Sequence, residues 1–140
     1  MTHYEDLTPY EYDEDPLPGG VNIGWLSKRH PYRHGRTPEG LVAALAHLAK
    51  DSKNRYRGYH HCELCPGFEE AERSARRDGL LLGNAEIHVP GESGVTYVAP
   101  TLIVHYVEAH EYLPPNAFTD SALKAKRVKT FQQRDLRADT

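Results

Sequence analysis

Apolar positions recur along the chain at spacings that predict a small α+β domain. Leu41, Val42, Leu45, Leu48 and Ala49 fall on one face of a helix over Leu41–Lys50. Just ahead of it Thr37 is placed to cap the helix, Pro38 to occupy its first position and Glu39 to sit near the positive end of its dipole. Gly40 stands where a full capping box would carry Glu or Gln. Val21–Leu26 reads as a short strand with Val21, Ile23 and Trp25 on one side, and Asn54–Tyr59 alternates as another. Leu80–Val89, the turn residues Pro90 to Gly94 and Val95–Val98 predict a β-hairpin. On it Ala85, Ile87 and Val89 share one face, Glu86 and His88 the other. Pro100–His110 reads as a helix stopped before Pro114-Pro115. A last helix from about Asn116 to Lys126 turns Ala117, Phe118, Ala122 and Leu123 inward. The charged stretch 68–78 predicts a short helix or an exposed insertion. The expected architecture is a small antiparallel sheet with two or three helices.

The pattern fades at both ends. Residues 1–20 have no sustained period, although Tyr4, Leu7, Tyr10 and Tyr12 are candidates to dock an extended arm that Pro16, Pro18 and Gly19-Gly20 bring to a close. This reading divides the chain into an arm over 1–20, one domain over 21–123 and a tail over 124–140 expected to be mobile. Composition changes the picture in one respect. Leu, Ile, Val and Phe make up 20% of the 140 residues, on the ~20% border below which chains stay disordered. The core is therefore thin, and something beyond burial is expected to hold it. Trp25, the single tryptophan, is assigned to that core.

Charge is segregated behind a net of −3. The arm carries six acids and no Lys or Arg, residues 28–36 (KRHPYRHGR) carry four fixed cations, and Lys124 to Arg137 carries six more against one Asp. Basic runs beside Tyr32 and Phe131 have the makings of a polyanion surface. The whole-chain pI near 6.3 disfavours nucleic acid as a partner, and the simpler expectation is that the acidic arm lies near the basic loop. No apolar run reaches the ~18 residues of a membrane span, and no basic start leads into an apolar stretch as in a signal peptide. Two cysteines are too few to staple a secreted scaffold. A cytoplasmic protein is expected.

The chemistry is concentrated in Gly58-Tyr59-His60-His61-Cys62-Glu63-Leu64-Cys65-Pro66-Gly67. Two thiolates two residues apart reach one ion if the backbone turns sharply after the first, and the amides of that turn then favour the charged sulfur. Pro66-Gly67 suits the bend and opposes the helix that a redox dithiol normally opens, although redox or inert thiols remain alternatives. After 39 intervening residues comes His105, followed by His110. Positions five apart point about 140° from each other on an ideal helix, so the pair converges only where the last turn loosens, as zinc fingers allow. Cys62, Cys65, His105 and His110 would make a closed Cys2His2 site, with His60, His61 or His88 as possible substitutes. Two thiolates and two imidazoles suit Zn2+ or iron. An open, catalytic site would need a base, and Glu63, Glu86 and Glu108 are the nearby carboxylates, none singled out by its spacing. The metalloprotease, nucleophile-elbow, phosphate-loop, dinucleotide and deaminase patterns are absent.

The Cys62-Glu63-Leu64-Cys65-Pro66-Gly67 segment resembles a rubredoxin-type zinc knuckle over about eight residues. Tyr4-Glu5-Asp6-Leu7-Thr8-Pro9-Tyr10, Asn22-Ile23-Gly24-Trp25-Leu26, His61-Cys62-Glu63-Leu64-Cys65, Pro100-Thr101-Leu102-Ile103, His105-Tyr106 and His110-Glu111-Tyr112-Leu113-Pro114-Pro115 together resemble a group of small, uncharacterised bacterial proteins across most of 4–118. That resemblance implies a bacterial cytoplasmic protein and transfers no catalytic residue. Residues 68–79 and the tail after about Leu123 read as local elaborations. Three functions stay open: a zinc-stabilised binding or adaptor module with a protein partner, a metal-dependent enzyme, and a weak nucleic-acid binder using 28–36 and 124–137.

Overall fold

The computed structural model describes residues 3–10, 19–51, 62–67, 69, 71, 73, 76–77, 80–83 and 85–125. The expected strand over Asn54–Tyr59, Tyr12, His60, His61 and the tail beyond 125 lie outside them. The elements run β1 (Gly20–Asn22), α1 (Leu41–Ala49), β2 (Arg76–Arg77), β3 (Leu80–Leu81), β4 (Glu86–Pro90), β5 (Thr96–Pro100), α2 (Ile103–His110) and α3 (116–125). The α+β class is as expected, but the main sheet is mixed. Its order is β1-β5-β4, β4 pairing antiparallel with β5 and β1 parallel to it. The chain between β1 and β5 is long enough for the crossover that a parallel pair requires.

One sheet face carries the core. Ile87, Val89, Tyr97 and Ala99 join Leu41, Leu45, Leu48, Leu102, Ile103, Val107 and Phe118 in one cluster, with Tyr97 edge-on to Phe118 at 5.7 Å. Each fully buried side chain of this size contributes roughly 1.5–3 kcal/mol. The other face is covered by the arm. Tyr10, Trp25 and Val98 form a second small cluster with Tyr4 against it, and Trp25 donates its indole N–H to the Val98 carbonyl at 3.0 Å. Backbone bonds Tyr4 N–H to Trp25, Leu7 N–H to Asn22 and Tyr10 N–H to Gly20 lay the arm alongside β1, while Leu7 itself stays exposed. The arm also reaches the basic loop, where His3 stacks on His30 at 3.9 Å.

Several local expectations are corrected. Ile23 and Trp25 do not share a side, because Gly24 between them has φ +76° and turns the chain over. A Cβ there would lie 2.9 Å from Ile103 Cδ1, so only glycine fits. Thr37 does not cap α1. The helix starts at Leu41 after Gly40, whose φ of +82° brings the chain in from the left-handed region, and the Thr37 hydroxyl instead donates to the Val107 carbonyl at 3.4 Å. The predicted first hairpin strand is split, since Leu80–Leu81 pairs with Arg76–Arg77 and β4 begins at Glu86. Arg76–Arg77 is thus a strand within the stretch expected to be helix or insertion, although Glu69, Ala71 and Arg73 before it are helical. Pro100 closes β5 rather than opening α2. On α3, Phe118 and Ala122 are buried and Leu123 half-buried as expected, but Ala117 faces solvent.

Candidate metal centre

The site joins two segments far apart in sequence. Residues 62–65 form a tight turn with Cys62 buried and Cys65 half-buried. Within it the backbone N–H groups of Leu64 and Cys65 are directed at the Cys62 sulfur, the arrangement that favours a thiolate. Helix α2 supplies the other half. Its apolar residues Ile103, Val104 and Val107 anchor it in the core, which leaves His105 buried against the knuckle and His110 as its last residue.

The helix stops there for identifiable reasons. Glu111 adopts φ +55°, and the N–H groups of Glu111 and Tyr112 both return to the Tyr106 carbonyl. A left-handed non-glycine residue costs roughly 1–2 kcal/mol, and the surroundings hold it in place. Gly35 N–H donates to the Glu111 carbonyl, Leu113 N–H to the Arg33 carbonyl, and the Tyr32 hydroxyl to the His110 carbonyl at 2.9 Å. The basic loop is therefore fastened by its backbone to the end of α2. Tyr112, fully buried, donates to Asp6 at 2.7 Å, and Asp6 also receives the Gly24 N–H. Neither Tyr32 nor Asp6 carried a sequence signal for this role, because both act through the fold and not through a motif.

The donor atoms of Cys62, Cys65, His105 and His110 all lie within 4.8 Å of one another. Cys65 Sγ is 3.2 Å from His105 Nε2, Cys62 Sγ is 3.3 Å from His110 Nε2, Cys65 Sγ is 3.5 Å from His110 Nε2, and the two Nε2 atoms are 3.1 Å apart. A tetrahedron built from bonds of ~2.3 Å to sulfur and ~2.0 Å to nitrogen has edges of roughly 3.3–3.8 Å, close to these separations. Hydrogen bonding does not account for the arrangement. One Nε2 has a single proton or a single lone pair, yet that of His110 meets three partners. The rings stand at 87° to each other, so they converge by their tips and do not stack.

The electrostatics of two of the four donors fit a site able to take a cation. Burial pushes the Cys62 thiol up to about 12, with Cys65 adding to the rise and the Leu64 and Cys65 amides opposing it. Burial and then the neighbouring His110 push His105 down to about 4, against a smaller opposing effect of Glu108. The proton is thus held on Cys62 and kept off His105, and a cation among the four donors would reverse the first while keeping the second. The donor set of two sulfurs and two imidazoles fits a borderline-soft divalent ion.

His88, considered as a substitute donor, is engaged elsewhere. Its Nε2 lies 3.0 Å from the carboxylate of Glu86, which also accepts the Tyr10 hydroxyl at 2.8 Å. Glu86, expected on the polar face of the hairpin, is completely buried beneath the arm. Among the described residues no carboxylate joins the four donors, so neither Glu63 nor Glu108 belongs to the group.

Fold and site together define a small α+β domain with a Cys2His2 donor cluster between a cysteine knuckle and a helix end. Residues 2–123 match the family described as a domain of unknown function, DUF7919, and the chain belongs to it. No curated protein and no solved structure matches the chain. No described helix is long and apolar enough to cross a membrane.

Proposed function

We propose that Cys62, Cys65, His105 and His110 together hold one zinc ion, and that the ion is structural. The observation that carries this reading is the convergence of four donor atoms within 4.8 Å. Four protein donors complete a tetrahedron and leave no position for an activated water. Zinc is preferred to iron because this donor set serves it without redox chemistry. Its role is to tie the 62–65 turn to α2, supplying stability that a thin core lacks; zinc-finger peptides gain on the order of 10 kcal/mol in this way.

On this reading the protein is a binding or adaptor module whose surface, and not its metal, meets the partner. The basic loop is the surface best suited. Lys28, Arg29, Arg33 and Arg36 are exposed, while the loop backbone is fixed against the end of α2, so a partner bearing acidic groups would meet charges already in place. The metal test is elemental analysis of the purified protein combined with chelation. One zinc per chain, lost only as the fold is lost, supports the structural role. Zinc removed with no change in the circular dichroism spectrum or melting temperature contradicts it. The surface test is binding of an acidic peptide to the intact protein and to a Lys28→Glu, Arg29→Glu, Arg33→Glu variant. The adaptor reading expects salt-sensitive binding lost in the variant, and equal binding by both proteins contradicts it.

A further inference from the structure

The four donors of the metal centre are unequally covered. Cys62 keeps 3% of its surface exposed and His105 7%, whereas Cys65 and His110 are half-buried. The cluster therefore has a closed side and an open side, with one cysteine on each. The two sulfurs lie within 4.8 Å of each other, at the ends of the tight turn 62–65. A four-residue turn keeps its end Cα atoms less than about 7 Å apart, and a disulfide spans roughly 4.4–6.8 Å between Cα atoms. The turn that lets two sulfurs share an ion thus also lets them join. The chain has no third cysteine, so neither has another partner within the molecule.

The two uses of this sulfur pair exclude each other. Only a thiolate serves as metal ligand, and a disulfide has none. With the pair joined, His105 and His110 would remain, half of the four donors of a structural site. Thiolate character and exposure decide which cysteine an oxidant reaches first, and a neighbouring cysteine then resolves the product. Exposure selects Cys65 for the first role. Cys62, whose sulfur receives the N–H groups of Leu64 and Cys65, is left for the second.

We propose that the Cys62–Cys65 pair is a peroxide-sensitive switch, in which oxidation joins the two sulfurs and releases the ion; this rests on the zinc reading above. The Cys65 thiolate attacks hydrogen peroxide, forming an S–O bond as the O–O bond breaks and hydroxide leaves. The Cys62 thiolate then attacks the Cys65 sulfur, forming the S–S bond as the S–O bond breaks and a second hydroxide leaves. The sulfur pair gives up two electrons, the peroxide takes them, and both hydroxides pick up protons from solvent as water. A dithiol such as dithiothreitol reverses the change by exchange.

The test treats the full-length, zinc-loaded protein with hydrogen peroxide, beside a peroxide-free control. A colorimetric chelator follows zinc, and mass spectrometry follows the peptide containing Cys62 and Cys65. The expected result is one zinc released for each peptide that loses two hydrogens, with no release in the control. Dithiothreitol followed by fresh zinc should restore the original content. Dimedone added with the peroxide should label Cys65. Zinc retained by a peptide that stays reduced, oxidation only to the sulfinic acid, or a dimedone label on Cys62 alone would each overturn the switch while leaving the structural zinc in place. Absence of zinc from the untreated protein would instead overturn the zinc reading, and the switch with it.

Discussion

Two groups of buried and half-buried polar side chains lie in this molecule, and they are arranged differently. Behind the sheet the Tyr10 hydroxyl donates to Glu86 at 2.8 Å and His88 Nε2 lies 3.0 Å from the same carboxylate, each an ordinary pairwise contact. At the end of α2, Cys62, Cys65, His105 and His110 bring their donor atoms to a common centre, where one nitrogen faces three partners. The first group is satisfied by the protein. The second is arranged as a set of donors that could share one positive ion. If the four donors hold a metal, the two clusters should respond differently: one to loss of a side chain alone, the other also to loss of the metal.

The largest effect that would sharpen this contrast is expected at the knuckle. Cys62→Ser or Cys65→Ser should abolish metal binding and cost several kcal/mol of stability, given the order of 10 kcal/mol available from a structural zinc. Elemental analysis and thermal melts check both, and unchanged melting temperatures would break the account. Glu86→Ala should come next. It strands the Tyr10 hydroxyl and the His88 ring at a cost of about 2–4 kcal/mol, yet leaves the metal content at the wild-type value.

Acid and base should separate the clusters further. Metal must displace the thiol protons, that of Cys62 held up to about 12, so apparent affinity should fall at least about tenfold for each pH unit of acidification across neutral pH. His105, lowered to about 4, is already neutral there and releases no proton. In the metal-free protein its sign is that of a depressed base. The unfolded chain takes up a proton below about 6.5 while the folded state does not, so stability present above that pH is lost as the pH falls towards about 4. Chelator competition at several pH values measures the first slope, and acid unfolding of the metal-free protein the second.

Much of this contrast was legible in the sequence, and unevenly so. The Cys-x-x-Cys turn is a local pattern, and the spacing of His105 and His110 before Pro114-Pro115 marks a helix end, so all four residues stood out together. The α1 periodicity and the hairpin faces were equally local. Glu86 was misread because alternation assigns it to a solvent face, whereas an arm more than seventy residues earlier covers that face. The mixed sheet was missed for the same reason: β1 pairs in parallel with a strand far along the chain, and no short-range pattern encodes such a partner. Thr37 has the right chemistry for a cap, but Gly40 supplies a left-handed entry three residues later and the helix begins there.

Smaller effects test these local arguments. Glu111→Gly should stabilise the protein by about 0.5–1 kcal/mol, because glycine adopts a positive φ without penalty, and should leave the metal content unaltered. A denaturant melt decides it, and a destabilised variant would mean that the Glu111 side chain does more than end the helix. Thr37→Ala should cost less than the roughly 1 kcal/mol of a true cap, since its hydroxyl makes only one long bond to Val107.

X-ray absorption at the metal edge of the purified protein reaches the central claim most directly, because it reads donor identity and number at once. The account predicts one zinc per chain with two sulfurs at ~2.3 Å and two nitrogens at ~2.0 Å. A shell containing oxygen in place of a sulfur or a ring nitrogen, or no bound metal at all, would contradict it.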